Sequence, residues 1–130
     1  MEKIKTHLGQ EKYKIEIKSA TNTIIADEPV EKGGKDLGFS PKELLASALG
    51  ACTSATVKIY ADYKGWNLTD IKVEVTLNWD DIALKSNITR NVELFGDLDQ
   101  KQRERLLRVA NSCPVHKILS NPVEIETFLK

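Results

Sequence analysis

Two cysteines, Cys52 and Cys113, are the residues of this chain best suited to chemistry, and their settings differ. Cys113 opens the run Cys113-Pro114-Val115-His116, in which proline suits the first helical position and the cysteine falls at the cap. A thiol there faces unpaired backbone N–H groups and the positive end of the helix dipole. Both favour the thiolate, which is the nucleophile. Cys52 lies mid-helix among alanines. Desolvation opposes ionisation there unless a cation is near, and a small core residue is the plainer reading, because free cysteine is among the most buried residue types. His116 follows Cys113 by three residues, on the same helical face. Cys-x-x-His is half of a zinc site, but Cys52 and His7 are the only other soft ligands. His116 therefore reads as a packing or hydrogen-bonding residue, or as a neighbour that polarises a thiol.

Glu43 and Lys42 also need a place. Glu43 is the third residue of a capping box begun by Ser40, with Pro41 between them at the first helical position. It precedes Cys52 by nine positions, on the opposite side of the same helix at roughly 100° per residue. It could act on a Cys52 thiol only across a loop or a subunit boundary. Lys42 lies nearer the Cys52 side but points toward the helix start. Its ammonium supplies charge without the fork that holds a carboxylate.

The elements that position these residues can be read in order. Met1–Gln10 has no pattern and reads as a loose start. Lys12–Lys18 alternates Tyr13, Ile15 and Ile17 with charges, and Thr23–Ala26 follows after a turn, so a hairpin is expected. Residues 27–39 form a glycine-rich charged loop, long enough to suggest a function beyond connection. Ser40–Trp66 reads as one long helix, apolar or small all round and therefore buried, stopped by Gly65. Ile71, Val73, Val75, Leu77 and Trp79 alternate with polar residues in a strand that has one face on a core. Ile88, Val92 and Leu94 continue as its partner, with Arg90 breaking the apolar phase. Asp97 or Asp99 caps a helix through Leu106, Leu107, Val109 and Ala110, and its lysines and arginines read as a solvated face. The short helix after Cys113 and a last strand, Val123–Leu129, complete the order β-β-α-β-β-α-α-β. The class is α+β, antiparallel strands covering a long buried helix, in a single domain spanning 1–130.

Composition narrows the function. The formal charge is zero, unlike the basic excess of a general nucleic-acid binder. There is no signal-peptide pattern and no apolar run of membrane length, so a cytoplasmic location is expected. In a reducing compartment a cysteine pair is catalytic, metal-binding or inert rather than a structural staple.

The segment GFSPKELLASALGACTSATV resembles the signature of the OsmC/Ohr family, the osmotically inducible and organic-hydroperoxide-resistance proteins, and ANSCPVHKIL resembles that family's second motif. The resemblance covers nearly the whole chain. It implies an intertwined homodimer with the long helices at its centre, and a thiol peroxidase of organic, fatty-acyl type hydroperoxides. Cys52 would be the peroxidatic cysteine, Cys113 the resolving one, and an external dithiol such as a lipoylated protein the reductant, with no cofactor. This reverses the ranking drawn from local chemistry. Family peroxidases also hold the reactive thiolate with an arginine from the N-terminal half, paired with a glutamate just after the motif's proline. Here no arginine precedes Arg90, Lys42 follows Pro41, and the carboxylate is one place later at Glu43. The alternative that follows is a redox-fold relative that binds a small molecule or acyl group in an apolar dimer cleft without efficient peroxide turnover.

Overall fold

The computed structural model describes all residues, 1–130. The chain divides into two compact units, Met1–Leu45 and Ala46–Lys130.

The first unit is an antiparallel sheet of β1 (Lys5–Leu8), β2 (Ile15–Lys18) and β3 (Thr23–Ala26), in that order. Ile17 of β2 sits opposite Thr6 on one side and Ile24 on the other. The loose start expected for Met1–Gln10 is instead a strand. A bare two-stranded hairpin is marginal, and β1 supplies a third strand. The turn after β2 is tied by Ser19 Oγ, which accepts the Thr21 and Asn22 N–H groups at 3.2 and 2.9 Å.

The loop from 27 to 39 is equally tied. Asp27 is 1% exposed, and its carboxylate accepts the backbone N–H groups of Tyr13, Glu28, Lys35 and Leu37 at 3.2, 2.8, 3.1 and 3.2 Å. A Cβ on Gly34 would stand 1.9 Å from the Glu28 carbonyl oxygen, so no other residue fits without moving backbone. A 3-10 turn at Val30–Lys32 and a bridge from Ala26 to Phe39 complete the tie. Helix α1 (Pro41–Lys64) then starts as its sequence requires. The Ser40 N–H donates to Glu43 Oε1 at 2.8 Å, and the Glu43 N–H donates to Ser40 Oγ at 3.3 Å.

In the second unit α1 ends at Gly65, whose φ of +70° only glycine adopts without strain. An antiparallel hairpin of β4 (Asp70–Asp80) and β5 (Lys85–Phe95) follows, then α2 (Gln100–Ala110) and α3 (Pro114–Leu119). Asp99, not Asp97, caps α2, in a complete capping box with Gln102. Val57 and Ala61 of α1 pack with Leu68, Leu106, Val109 and Ala110, and Ile71 and Leu94 close the sheet side. The expected class, mixed α+β with antiparallel sheets and a long helix, is what the chain adopts.

Four expectations need correction. First, α1 is not buried all round within this chain. Leu49, Thr53, Val57 and Ala61, every fourth residue, form its buried stripe, while Ala48, Ala51 and Ala55 are exposed, with Ile59 at 69% and Tyr63 at 83%. One sheet face and one helix cover only a stripe. By length and composition α1 could also cross a membrane, yet that stripe is packed as a core helix's would be. Second, Val123–Leu129 pairs with no strand of this chain, and Val123, Ile125, Phe128 and Leu129 are exposed. Third, part of the charged face of α2 is engaged. Arg103 donates to the carbonyls of Leu94, Gly96 and Leu98, and Arg105 Nε to the Tyr60 hydroxyl at 2.9 Å. Fourth, Arg90 does not break the inward phase of β5 but belongs to it. Ile88, Arg90, Val92 and Leu94 are the half-buried positions, and Arg90 sits opposite Val75.

Candidate active site

Three elements bring the site together inside the second unit. Helix α1 carries Cys52 and Thr53 in its middle, β5 carries Arg90 on its inward face, and Cys113 caps α3. Cys113 falls there because α2 stops before a residue that must precede proline, and such a residue avoids helical geometry. Its φ and ψ of −66° and 146° are extended, and Pro114 takes the first helical position.

Both cysteines are free. Cys113 is 0% exposed, whereas Cys52 is half-buried. Cys52 lies near Cys113 and is one of the groups that lower the Cys113 pKa. The His116 N–H donates to Cys113 Sγ at 3.4 Å. Thr53 Oγ1 lies 3.9 Å from the same sulfur, and Cys52 Sγ the same distance from Thr56 Oγ1. Burial alone pushes the Cys113 thiol up. The His116 N–H, the Cys52 thiol, the Thr53 hydroxyl and the positive charge of Arg90 more than offset it, and the net shift is downward, toward thiolate.

Arg90 ties this cluster together. Its Nη1 donates to Thr53 Oγ1 at 3.0 Å, and its Nη2 donates to Asn111 Oδ1 at 2.7 Å and to His116 Nδ1 at 3.0 Å. Guanidinium cannot accept, so His116 Nδ1 is the acceptor and the ring's proton sits on Nε2. No carboxylate pairs with Arg90: the ion pairs of the chain lie elsewhere. Thr53 is shared between two demands. Its single hydroxyl proton goes to the Leu49 carbonyl at 2.7 Å, and one lone pair accepts from Arg90. A neutral Cys113 can donate to the remaining lone pair. An ionised Cys113 draws the Thr53 proton away from Leu49.

Beside Arg90 lies a cavity of about 280 Å³, with Leu49, Ile88 and Leu119 as apolar wall and Arg90, His116, Ser86 and Ser120 as polar wall. Neither sulfur lines it.

The sequence-level candidates divide accordingly. Cys52 and Cys113 come together, and His116 joins them through its backbone N–H and its ring. Glu43 is occupied in the Ser40 capping box, which lowers its pKa through the Ser40 N–H and hydroxyl. Lys42 is exposed in the first turn of α1. Cys113 and His116 belong to no group of three or more potential metal ligands. Arg90, Thr53 and Asn111 were not singled out by sequence reasoning. The signal for Arg90 was there: a charge at a core-phase position of a strand needs partners, and such positions mark functional or networked sites.

These features are a pair of free thiols, the buried one drawn toward thiolate chiefly by the His116 N–H, with Arg90 adding positive charge. The family model for OsmC-like proteins matches residues 33–128, and the chain belongs to that family. Among solved structures, it is similar to an osmotic stress induced and detoxification response protein from Psychrobacter arcticus. The identity is 25% and the TM-score 0.77, over 88% of this chain and 85% of that one. It also shares its fold with an OsmC-like protein from Mycoplasma pneumoniae (22% identity, TM-score 0.78, 92% and 86% covered). The same holds for the organic hydroperoxide resistance protein OsmC of Legionella pneumophila (22%, 0.68, 92% and 89%). No curated protein sequence matches significantly.

Proposed function

We propose that this protein is a thiol peroxidase that reduces organic hydroperoxides of fatty-acyl type through Cys52 and Cys113. The observation that carries the reading is the convergence of two free thiols on Thr53 and Arg90: Thr53, next to Cys52 in the chain, touches the Cys113 sulfur and accepts from Arg90, an arginine with no carboxylate partner. Cys52, the more exposed sulfur, attacks the terminal peroxide oxygen. The O–O bond breaks, Cys52 becomes a sulfenic acid, and the alkoxide leaves as the alcohol after protonation. Cys113 thiolate then attacks the Cys52 sulfur, the S–O bond breaks, and hydroxide leaves as water, giving a disulfide. Two thiols and one hydroperoxide thus become one disulfide, one alcohol and one water. An external dithiol, a lipoylated protein among the candidates, restores the pair by exchange, in a cytoplasm whose thiol pool keeps it reduced. Arg90 supplies positive charge at Cys113, the resolving sulfur, and not at the peroxidatic one as the N-terminal arginine does in the family's peroxidases. Glu43 and Lys42 keep a secondary part in the proposal, across a subunit boundary.

We also propose a homodimer. The exposed Ala48, Ala51, Ala55, Ile59 and Tyr63 face of α1 and the unpaired Val123–Leu129 segment support it, because each is apolar surface that a second copy would cover. Ile59→Asp should shift the mass seen by light scattering from two chains to one.

One observation favours a second reading. The cavity beside Arg90 has neither sulfur in its wall, which suits a small-molecule binder of this fold without efficient turnover. Intact mass after one equivalent of cumene hydroperoxide separates the two. Rapid loss of two hydrogens in the wild type, with a sulfenic adduct only in Cys113→Ser, supports the peroxidase. An unchanged mass over minutes supports the binder.

A further inference from the structure

Arg90 is a half-buried cation that bonds to no anion. A guanidinium has five N–H donors. Three are spent: one of Nη1 on Thr53 Oγ1, and both of Nη2 on Asn111 Oδ1 and His116 Nδ1. All three acceptors are neutral, and no carboxylate pairs with the charge. Charges withdrawn from water are ordinarily paired. The Nε–H has no partner in the fold, and neither has the second N–H of Nη1. His116 is similar. Its Nδ1 is used by Arg90, so its proton sits on Nε2, which also has no partner. No buried side-chain nitrogen of the chain lacks a hydrogen bond, so Arg90 Nε and His116 Nε2 are both reachable from outside.

These two side chains form the polar wall of the 280 Å³ cavity, together with Ser86 and Ser120. Ser86 adds an exposed hydroxyl, whereas the Ser120 hydroxyl donates to the His116 carbonyl at 2.8 Å. No acidic side chain lines the cavity, and Leu49, Ile88 and Leu119 give it one apolar wall. Ligand pockets run from roughly 300 to 1,000 Å³, so this one suits a small ligand. An inorganic anion would meet the donors and leave the apolar wall wet. A neutral amphiphile would cover the wall and leave the charge unmet. We infer that the cavity binds a monocarboxylate with a short apolar tail, the carboxylate accepting from Arg90 and His116 Nε2 and the tail lying on Leu49, Ile88 and Leu119. Carboxylate is the natural partner of guanidinium, because both are planar and the hydrogen bonds between them are charge-assisted. The inference names a ligand for the small-molecule reading above and rests on it, and it needs no peroxide turnover.

The test is calorimetric titration of the reduced full-length protein, without peroxide, with hexanoate, hexanamide, acetate and inorganic phosphate. Hexanoate should bind saturably, and each of the other three about tenfold or more weaker. Arg90→Met should weaken hexanoate by about tenfold or more, as losing one partner of a hydrogen-bonded charge pair does. Ser86→Asp keeps Arg90 and its three bonds but sets a like charge against the carboxylate, and should weaken hexanoate to a similar degree. That exposed position decides the matter should Arg90→Met fold poorly. Hexanoate binding that neither variant changes overturns the inference. Acetate or phosphate binding as tightly as hexanoate removes the tail, and overturns it too. Hexanamide binding as tightly as hexanoate overturns the carboxylate while leaving a small-molecule binder. No binding by any of the four overturns the inference and counts against that reading, and leaves the peroxidase to its own mass test.

Discussion

Asp27 and Cys113 are both acids buried in the fold and both pulled toward their anions, but the two settings have different consequences. The Asp27 carboxylate is pushed up by burial and pulled down by the N–H groups of Leu37, Lys35, Glu28 and Tyr13, with a net lowering. All its donors are backbone, and no cation or second titratable group takes part. The result is an anion that stays ionised at any ordinary pH, holding residues 27–39 against their own strand. Cys113 has one backbone donor at 3.4 Å, and the rest of its support comes from side chains with other commitments. Thr53 is shared with Leu49, and Arg90 with Asn111 and His116. Donors fixed by main chain make an anchor. Donors borrowed from side chains make a site whose charge can move.

Substituting Arg90 tests that contrast most severely. Arg90→Met removes the only full positive charge acting on Cys113 and should lower the peroxide-driven rate at neutral pH on the order of a hundredfold, the scale of losing one preorganised charge-stabilising donor. Stopped-flow oxidation of the reduced protein reads it. Arg90→Lys should fall between, because an ammonium restores charge without reaching Thr53, Asn111 and His116 together. An Arg90→Met rate equal to wild type would mean that Cys113 is held by fixed donors, as Asp27 is, and the contrast would fail.

The anchor is tested by stability, with a pH signature on each side. Gly34→Ala forces a Cβ onto the Glu28 carbonyl oxygen and should destabilise the fold by about 1–3 kcal/mol, as overpacking against fixed atoms does. Chemical denaturation checks it. Asp27 and Cys113 both have folded pKa values below their unfolded ones, so each stabilises the protein above its unfolded pKa. Each contribution is lost as pH falls through the folded value. The windows differ. For Asp27 the loss falls below about pH 3.9, and for Cys113 it falls below about pH 8.5. Denaturation of the reduced wild type should therefore show stability rising toward pH 8.5, a rise that Cys113→Ser lacks. Asp27→Asn should lack the loss at acid pH and be less stable near neutrality, because its amide N–H groups face donors. Acid curves that superimpose for wild type and Asp27→Asn would remove Asp27 as the anchor.

Local chemistry made much of this legible in the sequence, and non-local pairing did not. Ser40, Pro41, Glu43 and Gly65 bound α1 by capping and by backbone freedom, effects that act within a few residues. The alternation from Ile71 to Leu77 placed β4 almost to the residue, and Pro114 set Cys113 at its cap. The contact of Cys113 with Cys52 could be drawn only from a family resemblance, since no spacing rule joins a mid-helix residue to a distant cap. Arg90 was misread because a charge on an apolar phase looks like the end of the pattern until its partners are known. Burial of α1 was overestimated for a related reason. A helix that is apolar all round states how much surface needs covering, not which chain covers it. Lys5–Leu8 was missed because Lys5 and His7 alternate with Thr6 and Leu8 too weakly for periodicity to show in four residues.

The smallest expected effect concerns what holds Arg90 itself. Its Nη2 divides between Asn111 Oδ1 at 2.7 Å and His116 Nδ1 at 3.0 Å, neither of them charged by a carboxylate. Removing one acceptor leaves the other, and Nη1 keeps Thr53. Asn111→Ala or His116→Ala alone should therefore cost about one hydrogen bond, ~0.5–1.5 kcal/mol, which is roughly a two- to tenfold loss of rate. The double variant frees Nη2 entirely and lets the guanidinium swing from Thr53, so its loss should exceed the product of the two single losses. That excess is the coupling a double-mutant cycle measures. A product that simply multiplies would place Arg90 under the control of its strand alone, with main chain fixing the charge at the thiol site as it does at Asp27.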